Sequence, residues 1–201
     1  SKMTTKLMTA ALLVVLPSIC LGFHLDDIFG KPPATVDRVE IPKYLGRWYQ
    51  VYYNSNLRNS FLRNAVCITA DYGVINATTI SVLNSNRIMT PNGPLDQITG
   101  FGYKTETEGQ LLVELSGVPL PAPYWILKLG PVLNGQYQYS IISDPIRFTL
   151  FVLARDPQDF AERYDREVLS YLEGEQFTDV GNRPERVYSG RDCLYANVPP
   201  Q

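Results

Sequence analysis

The sequence predicts an all-β fold: an eight-stranded antiparallel up-and-down β-barrel with one C-terminal α-helix packed outside it. Eight short runs rich in Val, Ile, Thr, Tyr and Phe follow one another, and turn residues separate them at nearly regular intervals. The connections are too short for crossover helices, so neighbouring strands are expected to be antiparallel. A meander of this kind can close on itself, which removes its exposed edges.

The first 22 residues have the pattern of a secretory signal peptide. Two lysines precede a run from Leu7 to Leu16 that is apolar except for Thr9, and Cys20-Leu21-Gly22 offers small residues where a signal peptidase cuts. The run is short for a transmembrane anchor. Bulky Ile19 disfavours a lipoprotein-type cleavage before Cys20. We therefore expect residues 1–22 to be removed and the protein to be secreted and extracellular.

The mature chain divides into a lead-in, a barrel and a tail. Residues 23–43 are polar and contain prolines, which predicts an extended N-terminal lead-in segment. Residues 44–195 hold the barrel and its helix, and residues 196–201 form a C-terminal tail. The predicted strands are 47–54, 66–75, 78–84, 95–105, 110–116, 123–129, 136–143 and 147–154.

One segment has helical rather than strand periodicity. Asp156 can cap this helix and Pro157 suits its first position. Apolar side chains then recur every four residues, a stripe that would pack on the outside of the barrel. Its members are Phe160, Tyr164, Val168 and Leu172.

Composition excludes several functions. The formal net charge of −2 without basic blocks makes nucleic acid a poor partner. The single histidine, His24, is too few for a typical zinc site or for His-dependent catalysis, so no metal, cofactor or enzymatic activity is expected. Once Cys20 leaves with the signal peptide, Cys67 and Cys193 remain, and an even pair in a secreted protein indicates one disulfide. The alternative is that Cys67 is a free nucleophile.

Two motifs far apart in the chain resemble the lipocalin family. "GRW" at 46–48 resembles the Gly-x-Trp signature of that family, and "ISDPIRFTLFVLARDP" at 142–157 resembles its last two strands. The resemblance implies that Arg155 stacks on Trp48 at the closed end of the barrel, while Gly46 lets the lead-in backbone approach it. "CITADY" and "APYWIL" extend the similarity to the group that includes apolipoprotein D and the bacterial outer-membrane lipocalins. It also implies that Cys67 pairs with Cys193.

The resemblance implies a secreted carrier that reversibly binds a small hydrophobic ligand: a fatty acid, other lipid, steroid, retinoid or bilin. Strand alternation and the positions of the family's blocks suggest which side chains line the cavity. For Tyr52, Trp125 and Tyr139 the register leaves open whether they or their neighbours face inward; Tyr72 and Phe151 match pocket positions in the family. The candidate ligand-binding residues are Tyr52, Ile68, Ala70, Tyr72, Phe101, Leu112, Trp125, Tyr139 and Phe151.

Two surface features carry further expectations. The connection at 54–64 places apolar residues beside arginines, which suits contact with a membrane or lipoprotein surface, or alternatively a lid that packs its own side chains. Asn76-Ala77-Thr78 is an acceptor sequence for N-glycosylation.

Two other functions remain open from the sequence. The barrel could be only the scaffold of a secreted interaction module, such as an inhibitor or receptor ligand. It could also carry an isomerase that uses Cys67, as a few lipocalins do, which would require a free thiol at that residue.

Overall fold

The computed structural model describes residues 30–197 of the 201-residue chain. The predicted signal peptide (1–22), Cys20 and His24 lie outside these described residues, as does most of the predicted tail. Within 30–197, every helix falls short of the length and hydrophobicity that a membrane crossing requires.

Strands dominate the described chain, and the helices are short. The helices are α1 (Ile41–Tyr44), α2 (Ser55–Asn59), α3 (Pro157–Arg163) and α4 (Asp165–Gly174). The strands are β1 (Gly46–Asn54), β2 (Ala65–Val74), β3 (Thr79–Ile88), β4 (Leu95–Lys104), β5 (Gln110–Leu115), β6 (Ala122–Leu129), β7 (Val132–Leu133), β8 (Gln136–Tyr137), β9 (Tyr139–Ser143), β10 (Phe151–Ala154) and β11 (Pro184–Arg186).

Eight of the strands form a closed barrel, as predicted. Strands β1 to β6, β9 and β10 pair antiparallel in chain order, and β10 then pairs with β1. At that seam Tyr49 lies opposite Ala154 and Tyr53 lies opposite Phe151. Strands β7 and β8 form a small hairpin within the connection from β6 to β9. We call the end that carries the connections 55–64, 89–94, 116–121 and 144–150 the open end, and the opposite end the closed end.

The last barrel strand begins later than predicted. Residues 144–150 form a loop because the buried Asp144 carboxylate binds the backbone of the residues that follow it. The carboxylate accepts hydrogen bonds from the N–H groups of Ile146 (2.9 Å), Phe148 (3.1 Å) and Thr149 (2.6 Å). Backbone donors held in this way are not free for a strand ladder. Strand β10 therefore starts at Phe151 rather than at residue 147.

The predicted single helix is two consecutive helices. Asp156 caps α3 as expected, because its Oδ1 accepts hydrogen bonds from the N–H groups of Gln158 (2.7 Å) and Asp159 (2.9 Å). Tyr164 ends α3 and precedes α4. The predicted apolar stripe packs against outward-facing residues of the barrel, with Phe160, Val168 and Leu172 almost fully buried.

The C-terminal segment completes the barrel wall near the open end. Strand β11 pairs with the second half of β1, where Arg186 lies opposite Tyr52. The N–H of Val187 donates to the carbonyl of Val51 (3.0 Å), and the N–H of Cys67 donates to the carbonyl of Tyr188 (2.8 Å). Residues 184–188 thus bridge β1 and β2. The predicted disulfide between Cys67 and Cys193 is present, with Cα atoms 5.5 Å apart, and it fastens the following chain to β2.

Candidate ligand-binding site

The closed end is sealed by a cation lying on an aromatic ring. The guanidinium carbon of Arg155 is 3.7 Å from the centroid of the fully buried Trp48 ring. Arg155 also donates to the backbone carbonyls of Arg47 (2.8 Å), Lys43 (3.1 Å) and Tyr137 (3.2 Å). Burial lowers the pKa of Arg155 to about 10, which leaves it a cation at neutral pH. One side chain therefore joins the lead-in, β1 and β8 beneath the barrel.

Gly46 is required at the start of β1. Its φ of +89° lies in the region that residues with a side chain rarely adopt. A Cβ there would only be in ordinary van der Waals contact with the Arg155 guanidinium (3.5 Å), so the backbone conformation and not a lack of space requires glycine. The glycine of the signature thus sets the backbone path beside the stack.

A network of hydroxyl groups lies beside this floor. The Tyr44 hydroxyl is 2.8 Å from the Tyr124 hydroxyl and 2.8 Å from Ser140 Oγ. The Tyr124 hydroxyl is in turn 3.1 Å from that of Tyr72. Burial raises the pKa of Tyr44 to about 12 and raises the pKa values of Tyr72 and Tyr124 as well. These hydroxyls are neutral and already satisfy one another.

Four of the nine candidate ligand-binding residues face the barrel interior. Ala70 lies opposite Trp48, and both belong, with Tyr72, to the core cluster of the closed half. Ile68 and Phe151 pack nearer the open end, against the buried Tyr53. The strand alternation predicted from "CITADY" is therefore correct for Ile68, Ala70 and Tyr72.

Tyr52 and Tyr139 face outward, which is the other register that the sequence left open. A β-bulge between Gln50 and Tyr52 inserts one extra residue into β1, so Tyr53 takes the inward position. The Tyr52 hydroxyl donates to Asp165 of α4 (2.7 Å). Tyr139 lies opposite the outward Ala154, and its hydroxyl donates to Glu167 of α4 (2.8 Å).

Trp125 also packs on the outside, in the cluster between barrel and helices. Its neighbours in β6, Tyr124 and Ile126, are the inward-facing residues. The interior therefore holds Trp48 and not the second tryptophan of the chain.

The inward placement predicted for Phe101 and Leu112 is wrong. Gly100 and Gly102 occupy the inward positions of β4, because a Cβ at Gly100 would meet the Glu114 carbonyl oxygen of β5 at 2.0 Å. Phe101 is consequently on the outer face and half exposed. There it borders a surface groove of about 270 Å³ that runs across β2 to β4. Leu112 lies opposite the outward Tyr103 and shares its face.

Packing differs between the two halves of the interior. Inward side chains of the closed half, such as Trp48, Ile126 and Val82, are fully buried. Nearer the open end, three inward apolar side chains, Ile98, Leu115 and Phe151, are only partly buried, whereas Ile68 and Ile142 are buried. Side chains therefore fill the barrel below and leave accessible apolar surface above.

The first open-end connection is partly a lid. Leu57 of α2 is buried against Tyr53 and Ile68, and Leu62 packs onto the same cluster. Phe61 points away and is 58% exposed. The packing of Leu57 and Leu62 agrees with the lid interpretation of residues 54–64, and contact with a membrane or lipoprotein surface stays a prediction.

Four inward residues were not predicted from the sequence: Tyr44, Gln50, Tyr53 and Tyr124. Tyr53 was hidden by the bulge in β1. Tyr44 belongs to α1, ahead of the first strand, and reaches the interior only because α1 crosses the closed end. Among residues 30–197 no group of His, Cys, Asp or Glu side chains could hold a metal ion.

The sequence of this chain is similar to one protein-family model and to individual proteins from other organisms. Residues 39–171 match the model of the lipocalin-like domain. Apolipoprotein D of Mus musculus is 34% identical over 129 residues, which are 62% of this chain and 64% of that protein, so the match spans less than two thirds of the relative. The outer membrane lipoprotein Blc of Vibrio cholerae is 32% identical over 137 residues, covering 66% of this chain and 75% of that protein.

Solved structures show the same fold at low identity. Japanin from Rhipicephalus appendiculatus, solved with bound cholesterol, superposes with a TM-score of 0.51 at 15% identity, covering 77% of this chain and 99% of Japanin. The family model spans most of the closed barrel and includes both partners of the stack at its floor. The chain therefore belongs to the lipocalin family.

Proposed function

We propose that this chain is a secreted carrier that reversibly binds a small hydrophobic molecule inside its barrel. The observation that carries the proposal is a group of inward apolar side chains near the open end that stay partly accessible, beside the buried core around Trp48. Phe151, Ile98 and Leu115 offer such surface beneath a partial lid. Transfer of a ligand's apolar surface onto these side chains is favourable by about 25 cal/mol per Å², before the costs of association.

The ligand would contact inward residues only. Of the candidates from the sequence, Ile68 and Phe151 lie nearer the open end with Tyr53, while Ala70 and Tyr72 belong to the buried core beneath them. Tyr52, Phe101, Leu112, Trp125 and Tyr139 face away and serve packing or the surface. The bound cholesterol of Japanin is consistent with a lipid-like ligand in a barrel of this shape.

Native mass spectrometry of gently purified protein tests the carrier function. We expect a co-purified molecule with a mass of a few hundred daltons that dissociates on denaturation. A protein that is found empty, and that then fails to displace a reporter dye with fatty acids, steroids, retinoids or bilins, would favour the interaction-module alternative.

The isomerase alternative needs a free thiol at Cys67. In the structure this sulfur is bonded to Cys193, so it is not available as a nucleophile. We propose that the protein has no enzymatic activity. Thiol titration of the folded, unreduced protein should find no reactive sulfhydryl at this position.

A second proposal concerns the connections of the open end, where four exposed apolar residues lie. Phe61, Met89, Leu120 and Phe148 stand on the four different connections of the open end and are each more than 40% exposed. A set of this kind suits shallow contact with a membrane or lipoprotein surface. Phe61→Ser should reduce co-sedimentation with phosphatidylcholine vesicles. Val74→Ser, equally apolar and exposed but at the closed end, should not.

Glycosylation of Asn76 is proposed for the secreted protein. Asn76 lies in the exposed turn between β2 and β3, where its Oδ1 accepts hydrogen bonds from the Thr78 hydroxyl (3.1 Å) and the Thr79 N–H (2.9 Å). Treatment with an N-glycosidase should lower the mass of protein from a eukaryotic secretory host. Asn76→Gln from the same host should show no such change.

A further inference from the structure

Gln50 is an amide side chain buried in the barrel without a partner. It is 4% exposed, and its Nε2 makes no hydrogen bond within the described residues. Its place in β1 is inward, because it follows Trp48 by two residues and lies opposite Leu153, both members of the interior cluster. The next inward residue beyond the bulge is Tyr53. Gln50 therefore lies between the filled closed half and the open half.

An unpaired buried donor destabilises a folded protein, because it has given up its hydrogen bonds to water and gained nothing in return. Such a group needs an explanation, and a ligand that enters this part of the barrel can supply the missing acceptor. We propose that Gln50 Nε2 donates a hydrogen bond to an oxygen of the bound ligand, and that this ligand is an uncharged apolar molecule with a carbonyl or hydroxyl group. The inference rests on the proposed carrier function.

The charge distribution favours a neutral ligand over a carboxylate. None of the described inward strand positions from Gln50 to the open end carries a lysine, arginine or histidine; one carries a carboxylate, Asp96 of β4, and the others carry apolar, aromatic or amide side chains. Their members are Tyr53, Ile68, Asn84, Asn86, Ile98, Leu115, Ile142 and Phe151. Arg155 uses its guanidinium on Trp48 and on backbone carbonyls at the floor. A buried carboxylate without a cation loses more hydration than one amide donor returns.

Thr69 provides a matched control. Its Oγ1 is also buried and unpartnered, and the residue is 1% exposed. It lies opposite Tyr49, on the outer face of the barrel wall. Thr69→Val and Gln50→Met each remove an unpaired polar group while keeping the approximate shape, but only Gln50 faces the interior.

The test measures retinal, retinol and retinoate binding to the wild type, Gln50→Met and Thr69→Val by quenching of tryptophan fluorescence at neutral pH. The wild type should bind retinal and retinol more tightly than retinoate. Gln50→Met should weaken retinal binding about 5-fold, the effect of one lost hydrogen bond. This variant should therefore show a smaller preference for retinal over retinoate than the wild type does. Thr69→Val should leave all three affinities unchanged. Both variants should raise the Tm of the ligand-free protein.

The outcomes separate the two proposals. Equal retinal affinity in Gln50→Met and the wild type, or retinoate binding as tight as retinal binding, would overturn the role of Gln50 while the carrier function stands. If none of the three retinoids binds the wild type and a reporter dye does not bind either, the carrier function fails and the role of Gln50 fails with it.

Discussion

Arg155 lies over the indole of Trp48, 107 positions away in the chain (155 − 48), with its guanidinium carbon 3.7 Å from the ring centroid. The same guanidinium donates to three backbone carbonyls, those of Lys43, Arg47 and Tyr137. It thereby fastens the ends of the barrel wall to the lead-in. Trp48 completes the arrangement by donating its Nε1–H to the carbonyl of Tyr44 (2.7 Å).

Arg155→Lys should destabilise the protein by about 2 kcal/mol or more. A lysine keeps the charge but cannot lie flat on the ring or reach three carbonyls at once. Urea unfolding followed by tryptophan fluorescence measures the change. Arg186→Lys is the control, because Arg186 lies 5.0 Å from the Tyr52 ring at an exposed site, and we expect it to cost less than about 1 kcal/mol. Equal effects of the two substitutions would contradict the structural role of the stack.

Stability should fall at alkaline pH because of the buried tyrosines. Burial raises the pKa of Tyr44 to about 12 from its ordinary value near 10, and it raises those of Tyr72 and Tyr124. A raised pKa in the folded state means that this stability is intact below pH of about 10 and is lost as pH rises towards the folded pKa. The lowered pKa of Arg155 acts in the opposite sense, but one group opposes three.

Ultraviolet absorbance of tyrosinate measures this directly. The buried tyrosines, Tyr44 among them, should ionise only well above pH 10, together with unfolding. Tyr44→Phe should reduce the delayed fraction. A titration in which every tyrosine ionises near pH 10 in the folded protein would disprove the buried network.

The disulfide should account for a large part of the stability. It joins residues separated by 126 positions, and chain-entropy estimates for such a loop give about 5 kcal/mol. The double variant Cys67→Ser with Cys193→Ser should lower the urea midpoint accordingly. It should also expose the chain after residue 188 to proteases, because that segment would keep only noncovalent contacts, such as the hydrogen bond from Arg87 Nε to the Leu194 carbonyl (2.6 Å) and the packing of Tyr195 on Tyr49. An unchanged midpoint would contradict this account.

Removing the outward tyrosine hydroxyls should affect stability and not ligand binding. Tyr52→Phe and Tyr139→Phe each remove one hydrogen bond to a carboxylate of α4, which is worth about 1 to 3 kcal/mol. Chemical unfolding and ligand titration of the same samples separate the two effects. Tyr53→Ala, at the neighbouring inward position, should instead weaken ligand binding. A loss of ligand affinity in Tyr139→Phe would show that the assigned register is wrong.

The number of barrel strands and most of their positions, apart from the start of β10, were predictable because turn residues and β-branched runs are local signals. The stack of Arg155 on Trp48 was also predictable, since both motifs are short and specific. The side-chain register was not. A single bulge after Gln50 reverses the remaining alternation of β1, and nothing in the residues of that strand marks it.

Glycines beside Phe101 explain why its predicted inward placement is wrong. In "GFGY" at 100–103 the rule that apolar residues face inward selects Phe101 and Tyr103, but the close approach of β4 to β5 requires glycine on the inner side. Such approaches depend on barrel geometry rather than on local sequence. The loop after Asp144 was unpredictable for a similar reason. A short "SDP" motif predicts a turn, but it does not show that the Asp144 carboxylate binds the backbone of the next five residues.

The central claim is that a small hydrophobic molecule occupies the barrel above Trp48. Trp125→Phe removes the outward tryptophan and leaves Trp48 as the only tryptophan that can report binding. Titration of this variant with retinol should quench Trp48 fluorescence in a saturable manner at one ligand per protein. Fluorescence that stays constant, or that falls linearly without saturation, with retinol and with every member of a panel of fatty acids, steroids and bilins would contradict the claim.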